Sequence, residues 1–395
     1  MAQQTPTRRT FLRNGMAVAC SAAASPLVTP VVLASAPWDQ RFVVIILRGA
    51  MDGLDVVRPY GDPAFAAHRR SFGDIEADGA VDLDGFFALH PALAGLAPLW
   101  RTGELSFAHA VSTPYRNKRS HFDGQDVLEN GAGAPDGRLT PGRDGWLNRM
   151  LSLYPGIETR TAFAVGRERL MLLSGDMPVA NWSPGIDFDL STEAWQALEI
   201  LYARDPLFRT ASATAHEFDG TKPIRTGRKS RGRAEILAAF AAEQLRGETR
   251  IAAFSISGWD THRNQAAAIG RSLGGLSDAI LTLKRDLGPV WNRTAVLCLT
   301  EFGRTVRENG NTGTDHGTGG AMVLAGGALN GARVHTVWPG LGEGDLFEDR
   351  DLMPTDDVRR YAAWALRSLY GVGAGDLERV VFPGLDLGDD LHIIA

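Results

Sequence analysis

The sequence predicts an α/β fold on a mostly parallel central sheet, and three observations carry that expectation. Residues 41–47 contain Val43, Val44, Ile45 and Ile46 in succession, the unbroken apolar run of a strand buried on both faces. Comparable runs recur at 251–256 and 294–299. Helix-like segments alternate with the strand-like ones, as in βαβ units.

Taken in order, 41–47 is the first strand. His90-Pro91-Ala92-Leu93 opens a helix to about 100, and 104–111 is the second strand. Ser120 starts a short helix that Gly131 closes near 130. The Gly-, Pro- and Asp-rich stretch 131–145 reads as a loop, and 146–151 restarts a helix. The short apolar runs 162–165 and 170–173 read as strands. Ser191-Thr192-Glu193 caps a helix through 202. The basic, polar stretch 218–233 reads as part of an insertion, placed around 203–233. Then follow a helix at 234–245, a strand at 250–256, a long helix at 264–286 and a strand at 294–300. Two more strands, at 321–325 and 333–337, precede a helix at 355–369.

The first 36 residues read as an export leader and not as part of the fold. Thr7-Arg8-Arg9-Thr10-Phe11-Leu12-Arg13 is a twin-arginine pattern, an Ala-rich stretch follows, and Ala34-Ser35-Ala36 is a small-x-small cleavage motif. A lipid anchor at Cys20 is disfavoured because Ala17 is not a bulky apolar residue. The expected location is the periplasm or beyond, with the twin-arginine export machinery as a partner. The remaining ~360 residues exceed the ~250–300 at which single cores usually split, so one large domain with insertions or one with a small cap both fit.

Composition excludes several classes. The formal charge is −5, and loss of the leader, with three Arg and no acid, makes it more negative by three. Such a chain is not expected to bind nucleic acid. No later apolar stretch reaches the ~20 residues of a membrane span. Cys298 is the only cysteine after the leader, which rules out an intramolecular disulfide and a Cys-based metal site.

Acid and imidazole side chains lie just past the expected strands: Asp52 after the first, Asp260 and His262 after the 250–256 strand, Asp315 and His316 past the 294–300 strand. Ligand sites of open α/β sheets form beyond the carboxyl ends of strands, and mixed Asp and His donors suit Zn or Mn. Each has a plainer reading: an Asp-Gly turn for Asp52, a helix cap for His262, a polar loop for Asp315-His316.

Five motifs occur in order: Leu47-Arg48-Gly49-Ala50-Met51-Asp52-Gly53-Leu54, Ser120-His121-Phe122-Asp123-Gly124-Gln125-Asp126, Gly258-Trp259-Asp260-Thr261-His262, Thr300-Glu301-Phe302-Gly303-Arg304-Thr305 and Gly313-Thr314-Asp315-His316-Gly317. With the twin-arginine leader they resemble the exported bacterial family called domain of unknown function 1501, placed in the alkaline-phosphatase-like superfamily. The resemblance spans about residues 38–390. It implies an alkaline-phosphatase-like three-layer sandwich, one or two divalent metal ions, and hydrolysis of phosphate or sulfate esters on an anionic small-molecule or polymer substrate. It also implies Asp52, Asp260, His262, Asp315 and His316 as ligands.

Two spacings depart from the superfamily pattern. The Asp315-His316 pair follows Glu301 by 14 residues instead of standing at a strand end, and one residue separates Asp260 from His262 where three are usual. Glu301 is thereby a candidate ligand or supporting acid. Ser120 is a candidate nucleophile at a helix start, where amide dipoles favour an anion; with Asp123 three residues on, it also reads as a helix cap. His121 and Asp123 are alternatives there. Arg304 is expected to hold an anionic oxygen or to pair with a nearby Glu. His335 reads as a packed histidine, with a last metal ligand as the alternative, and His90 is expected at a helix start. No Cys-x-Pro-x-Arg occurs, so the formylglycine route of sulfatases is excluded. The departures in spacing leave a second reading open, a non-catalytic exported binding or assembly protein on the same scaffold. A metal-binding protein that recognises a carbohydrate or cell-wall polymer without cleaving it is a third.

Overall fold

In the first strand, β1 (Arg41–Arg48), neighbouring side chains enter different cores. Phe42, Val44 and Ile46 pack with the helices Trp146–Ser152 and Val358–Tyr370 on one face. Val43, Ile45 and Leu47 pack with the helices Arg233–Arg246 and Gln265–Leu287 on the other. Side chains alternate along a strand, so a run apolar at every position needs helices on both faces. The result is a three-layer α/β/α arrangement. This computed structural model describes residues 36–70, 78–116, 118–133, 144–183 and 232–395. The leader up to residue 35, most of the loop expected at 131–145, the helix expected at 191–202 and nearly all of the insertion expected around 203–233 lie outside the described residues.

The sheet comprises β1, β2 (Leu105–Ser112), β3 (Ala162–Val165), β4 (Ala180–Trp182), β5 (Ile251–Ser257), β6 (Thr294–Leu299), β7 (Gly320–Ala325), β8 (Val334–His335) and β9 (Asp356–Asp357). Its order is β8-β2-β7-β6-β1-β5-β3-β4, and β9 also pairs with β2. All pairings are parallel except those of β7, which runs antiparallel to both β2 and β6. A second, three-stranded sheet is formed by Val57–Arg58, Ala88–Leu89 and Val81–Asp82.

Two local expectations differ from the structure. Residues 170–173 hold a 3-10 turn, Met171–Leu173, and the strand lies further on at β4. The run is too short for its apolar content to distinguish strand from turn. The strand expected at 333–337 shrinks to the two residues of β8. His90 caps the helical turn Pro91–Leu96, its Nδ1 accepting from Ala92 N–H. His335 packs against Tyr361 with its rings 6.0 Å apart, and burial lowers its pKa to about 4. Among the described residues no helix is long and apolar enough to cross a membrane.

Candidate metal centre

The carboxyl ends of β6, β1 and β5 lie side by side in the sheet, and the site is assembled just beyond them. Glu301 ties the first two together. One of its oxygens accepts from Gly49 N–H at 2.9 Å, and the other from the Thr300 hydroxyl at 3.0 Å. The one hydroxyl proton of Thr300 is shared between that oxygen and Leu47 C=O at 2.9 Å, and its oxygen accepts from Met51 N–H. Gly49 closes the gap to the third strand. Its φ is +120°, and a Cβ there would stand 2.6 Å from the Asp260 nitrogen, so only glycine fits.

The stretch between Glu301 and Asp315 folds back as a hairpin, which is how Asp315 and His316, so far past a strand, return to its end. Thr305 N–H donates to Asp315 C=O, Gly317 N–H to Gly303 C=O, and Arg304 bridges to His316. Gly313 lets this hairpin lie on the next loop, since a Cβ would be 2.3 Å from the His262 carbonyl carbon.

Three imidazoles and one carboxylate converge. Asp260 Oδ1 is 3.0 Å from His262 Nε2, 3.2 Å from His316 Nε2 and 3.6 Å from His121 Nε2. His121, Asp260 and His316 offer ligand atoms that all lie within 4.8 Å of one another. His262 Nε2 also lies 3.0 Å from His316 Nε2.

The second nitrogen of each ring faces an oxygen. His121 Nδ1 is 2.8 Å from Glu301 Oε1, His262 Nδ1 is 3.0 Å from Asp315 Oδ1, and His316 Nδ1 is 2.8 Å from Arg119 C=O. Carbonyls and carboxylates only accept, so each Nδ1 carries a proton; by the same rule an Nε2 facing Asp260 Oδ1 donates to it when the ring is doubly protonated, and presents a lone pair when the ring is neutral. The lone pairs of His262 and His316 then face each other at 3.0 Å, and the buried Nε2 of His121 has no hydrogen-bond partner among the described residues. Such an arrangement repels itself unless a cation sits among the four groups. Three imidazole nitrogens and one carboxylate suit Zn better than the more oxygen-preferring Mn, and histidine ligands backed by carboxylate or carbonyl are usual for Zn.

The electrostatics agree. Hydrogen bonding to Glu301 raises the His121 pKa, so its ring is the more basic for that partner. Burial lowers that of His316, favouring the neutral form. Burial alone would raise the carboxyls of Asp260, Glu301 and Asp315. Arg304 holds the first below the usual range, His121 the second, and Asn309 with His262 the third.

Of the five expected ligands, Asp260, His262 and His316 come together here. Asp315 stands behind His262, its Oδ1 accepting from His262 Nδ1 and Asn309 Nδ2. Asp52 is elsewhere, 1 % exposed and locked in an ion pair. Both its oxygens accept from Arg69, at 2.6 and 3.0 Å, and further bonds come from Gln265, Leu54 N–H and Thr314. Burial would raise the Asp52 carboxyl, and Arg69 keeps it lowered. With its lone pairs so engaged, Asp52 anchors the strand end to the loop before Asp315.

Arg304 also has a task other than the one expected. Its donors go to Ala50, Gly49, Thr314 and Trp259 carbonyls and to Asp260 Oδ1, and at 1 % exposure it fixes the loops and orients Asp260 from within the protein. Ser120 is the N-cap of the helix α1 (His121–Asn130), its Oγ accepting from Asp123 N–H at 3.5 Å. Arg119 C=O and the His121 ring, on either side of it in sequence, both join the cluster. His121 is absent from the expected ligand set, although it lies inside the Ser120–Asp126 motif. Its signal is the His directly after a helix-capping Ser, which reads equally as a helix start.

Solved structures of similar fold include the lipoteichoic acid synthase LtaP from Listeria monocytogenes, with 9 % identity, 90 % of this chain and 74 % of that chain covered and a TM-score of 0.35. The C-terminal periplasmic domain of EcEptC from Escherichia coli, in complex with Zn, has 10 % identity, coverage of 90 % and 92 %, and a TM-score of 0.39. A protein in the alkaline phosphatase superfamily from Vibrio parahaemolyticus has 12 % identity, coverage of 74 % and 62 %, and a TM-score of 0.33. Likeness at this level leaves the chemistry to be read from the side chains present. No curated protein matches the sequence. A family model described as "Protein of unknown function (DUF1501)" matches residues 99–375.

Proposed function

We propose that this chain, which belongs to the DUF1501 family, is an exported, metal-dependent hydrolase of phosphate or sulfate esters. The observation that carries the reading is the inward turn of three imidazole Nε2 atoms onto Asp260, each ring fixed by an oxygen on its Nδ1. His121, His262, His316 and Asp260 would hold one divalent ion, Zn before Mn. A bound ion supplies Lewis-acid polarisation of an ester oxygen and a lowered pKa for a hydroxyl or water.

The chain's own groups do the rest. Glu301, Asp315 and the Arg119 carbonyl keep the ring protons on Nδ1. Arg304 holds Asp260 in place. Ser120 stands at the amino end of α1, where unpaired amides attract an anion, between two residues that belong to the site. Its hydroxyl receives only a long hydrogen bond at 3.5 Å and is the nucleophile of this reading. The twin-arginine motif supports export to the periplasm or beyond. Replacing Arg8 and Arg9 by Lys and finding unchanged export would remove that part.

The test is hydrolysis of p-nitrophenyl phosphate and p-nitrophenyl sulfate by the purified chain, before and after chelation and with zinc restored. Hydrolysis that disappears with the metal and returns with it is expected. One observation favours the rival, a non-catalytic binding or assembly protein on the same scaffold: Arg304 is buried and engaged with loop carbonyls and Asp260, which keeps it from a substrate. A zinc-loaded chain inert toward both esters, with a stable protein partner, would decide for it.

A further inference from the structure

Helix α1 has two neighbouring stripes. His121 and Gln125, one turn apart, both reach Glu301, at 2.8 and 3.2 Å. Phe122, Asp126 and Glu129, at positions i, i+4 and i+7, line a cavity of about 780 Å³. Arg48 at the end of β1, with Glu168 and Arg169 beyond β3, helps to complete it. Its volume is that of small-molecule sites. Gln125 belongs to both places, because its Oε1 also accepts from Arg48 at 2.7 Å. A guest in the cavity would therefore sit within about one helical turn of His121.

The lining selects a type of guest. Arg48 is matched by Glu129 at 2.7 Å and Glu168 at 3.0 Å. The side chains of Asp126 and Arg169 have no hydrogen bond or ion pair among the described residues, so one acceptor and one donor of opposite charge remain for a ligand. The lining sets two guanidiniums against three carboxylates, an excess of one negative charge that disfavours an anionic guest. Phe122 is 82 % exposed, one of three large apolar side chains so placed among the described residues. A sugar ring answers all three groups: its hydroxyls donate to Asp126 and accept from the planar Arg169 guanidinium, and its C–H face lies on the Phe122 ring.

We infer that this cavity is a subsite for a neutral, polyhydroxylated unit of the substrate, a sugar ring next to the ester that is cut. The inference rests on the hydrolase reading only for the ester; the sugar contact stands by itself. The experiment is calorimetric titration of the zinc-loaded chain with maltotriose, cellotriose and triacetylchitotriose, beside ethanolamine and benzyl alcohol. The same titrations are run on Phe122→Ala and Asp126→Asn, with zinc content and thermal midpoint measured on each. Saturable binding of at least one trisaccharide, weakened about tenfold by each substitution with zinc retained, is expected. No trisaccharide binding, binding that both variants leave unchanged, or preference for ethanolamine or benzyl alcohol overturns the subsite. Trisaccharide binding in a chain that cleaves no ester keeps the subsite and removes the hydrolase reading; ester cleavage without sugar binding does the reverse.

Discussion

Nδ1 of His121 lies 2.8 Å from Oε1 of Glu301, a carboxylate with no solvent-exposed surface. Glu301 also receives Gly49 N–H, Gln125 Nε2 and the Thr300 hydroxyl, so its position is fixed by two strand ends and a helix. The histidine is thereby aimed before any ion arrives. Such backing groups typically contribute 10–100-fold in metal affinity. Glu301→Gln keeps the shape and removes the charge. Zinc affinity is expected to fall by about that factor, measured by competition with a chromogenic chelator. Unchanged affinity would mean that His121 is not a ligand.

Asp52 and Arg69 make a different kind of pair, buried on both sides and outside the cluster of His121, Asp260 and His316. Removing one partner of a buried pair strands the other charge and costs about 3–5 kcal/mol. Arg69→Met is expected to lose stability of that order in urea unfolding, while the folded fraction binds zinc in the same ratio as the wild type. Loss of zinc at unchanged stability would return Asp52 to the ligand set.

These two pairs show what was legible in the sequence. The order and type of the main strands followed from apolar runs at 41–47, 251–256 and 294–299, and the approximate place of the site from their carboxyl ends. Asp52 and Asp260 look alike in sequence, each an acid shortly after a strand. What separates them is Arg69, a distant residue that supplies a buried counter-charge, and no local pattern announces it. His121 was hidden for a similar reason, because Glu301, 180 positions away, decides which way its ring faces. The reversed strand β7 was also invisible, since a fully buried strand has the same composition whichever way it runs.

His109 carries a pH dependence. It is fully buried on β2, with Nε2 near the Gly53 and Val57 carbonyls and Nδ1 accepting from Ala110 N–H, an arrangement that requires the neutral ring. Burial depresses its pKa from 6.5 to about 4. The unfolded chain therefore takes up this proton first as pH falls. The contribution to stability is complete above about pH 6.5 and is lost progressively down to about pH 4, amounting to about 3 kcal/mol. Urea midpoints between pH 7 and pH 4 check it: His109→Gln is expected to be less stable at pH 7 and to show a shallower fall. An equally steep fall in the variant would place the acid sensitivity elsewhere, for instance at His335.

Ser120 holds a cap and, in this account, a nucleophile, and the two roles separate by substitution. Asn caps as well as Ser, whereas Ala costs about 1 kcal/mol. Ser120→Asn is expected to keep the thermal midpoint and zinc content and to lose about 10³-fold in ester hydrolysis. Full hydrolysis by the Asn variant would leave Ser120 a cap alone and assign the attack to water.

The most direct measurement is zinc content by mass spectrometry, made on the wild type, the His121→Ala, His316→Ala double variant and Asp52→Asn. About one equivalent is expected in the wild type, little in the double variant, and retention in the folded fraction of Asp52→Asn. A well-folded wild type that takes up no zinc, or a double variant that keeps it, would contradict the centre built on His121, Asp260, His262 and His316.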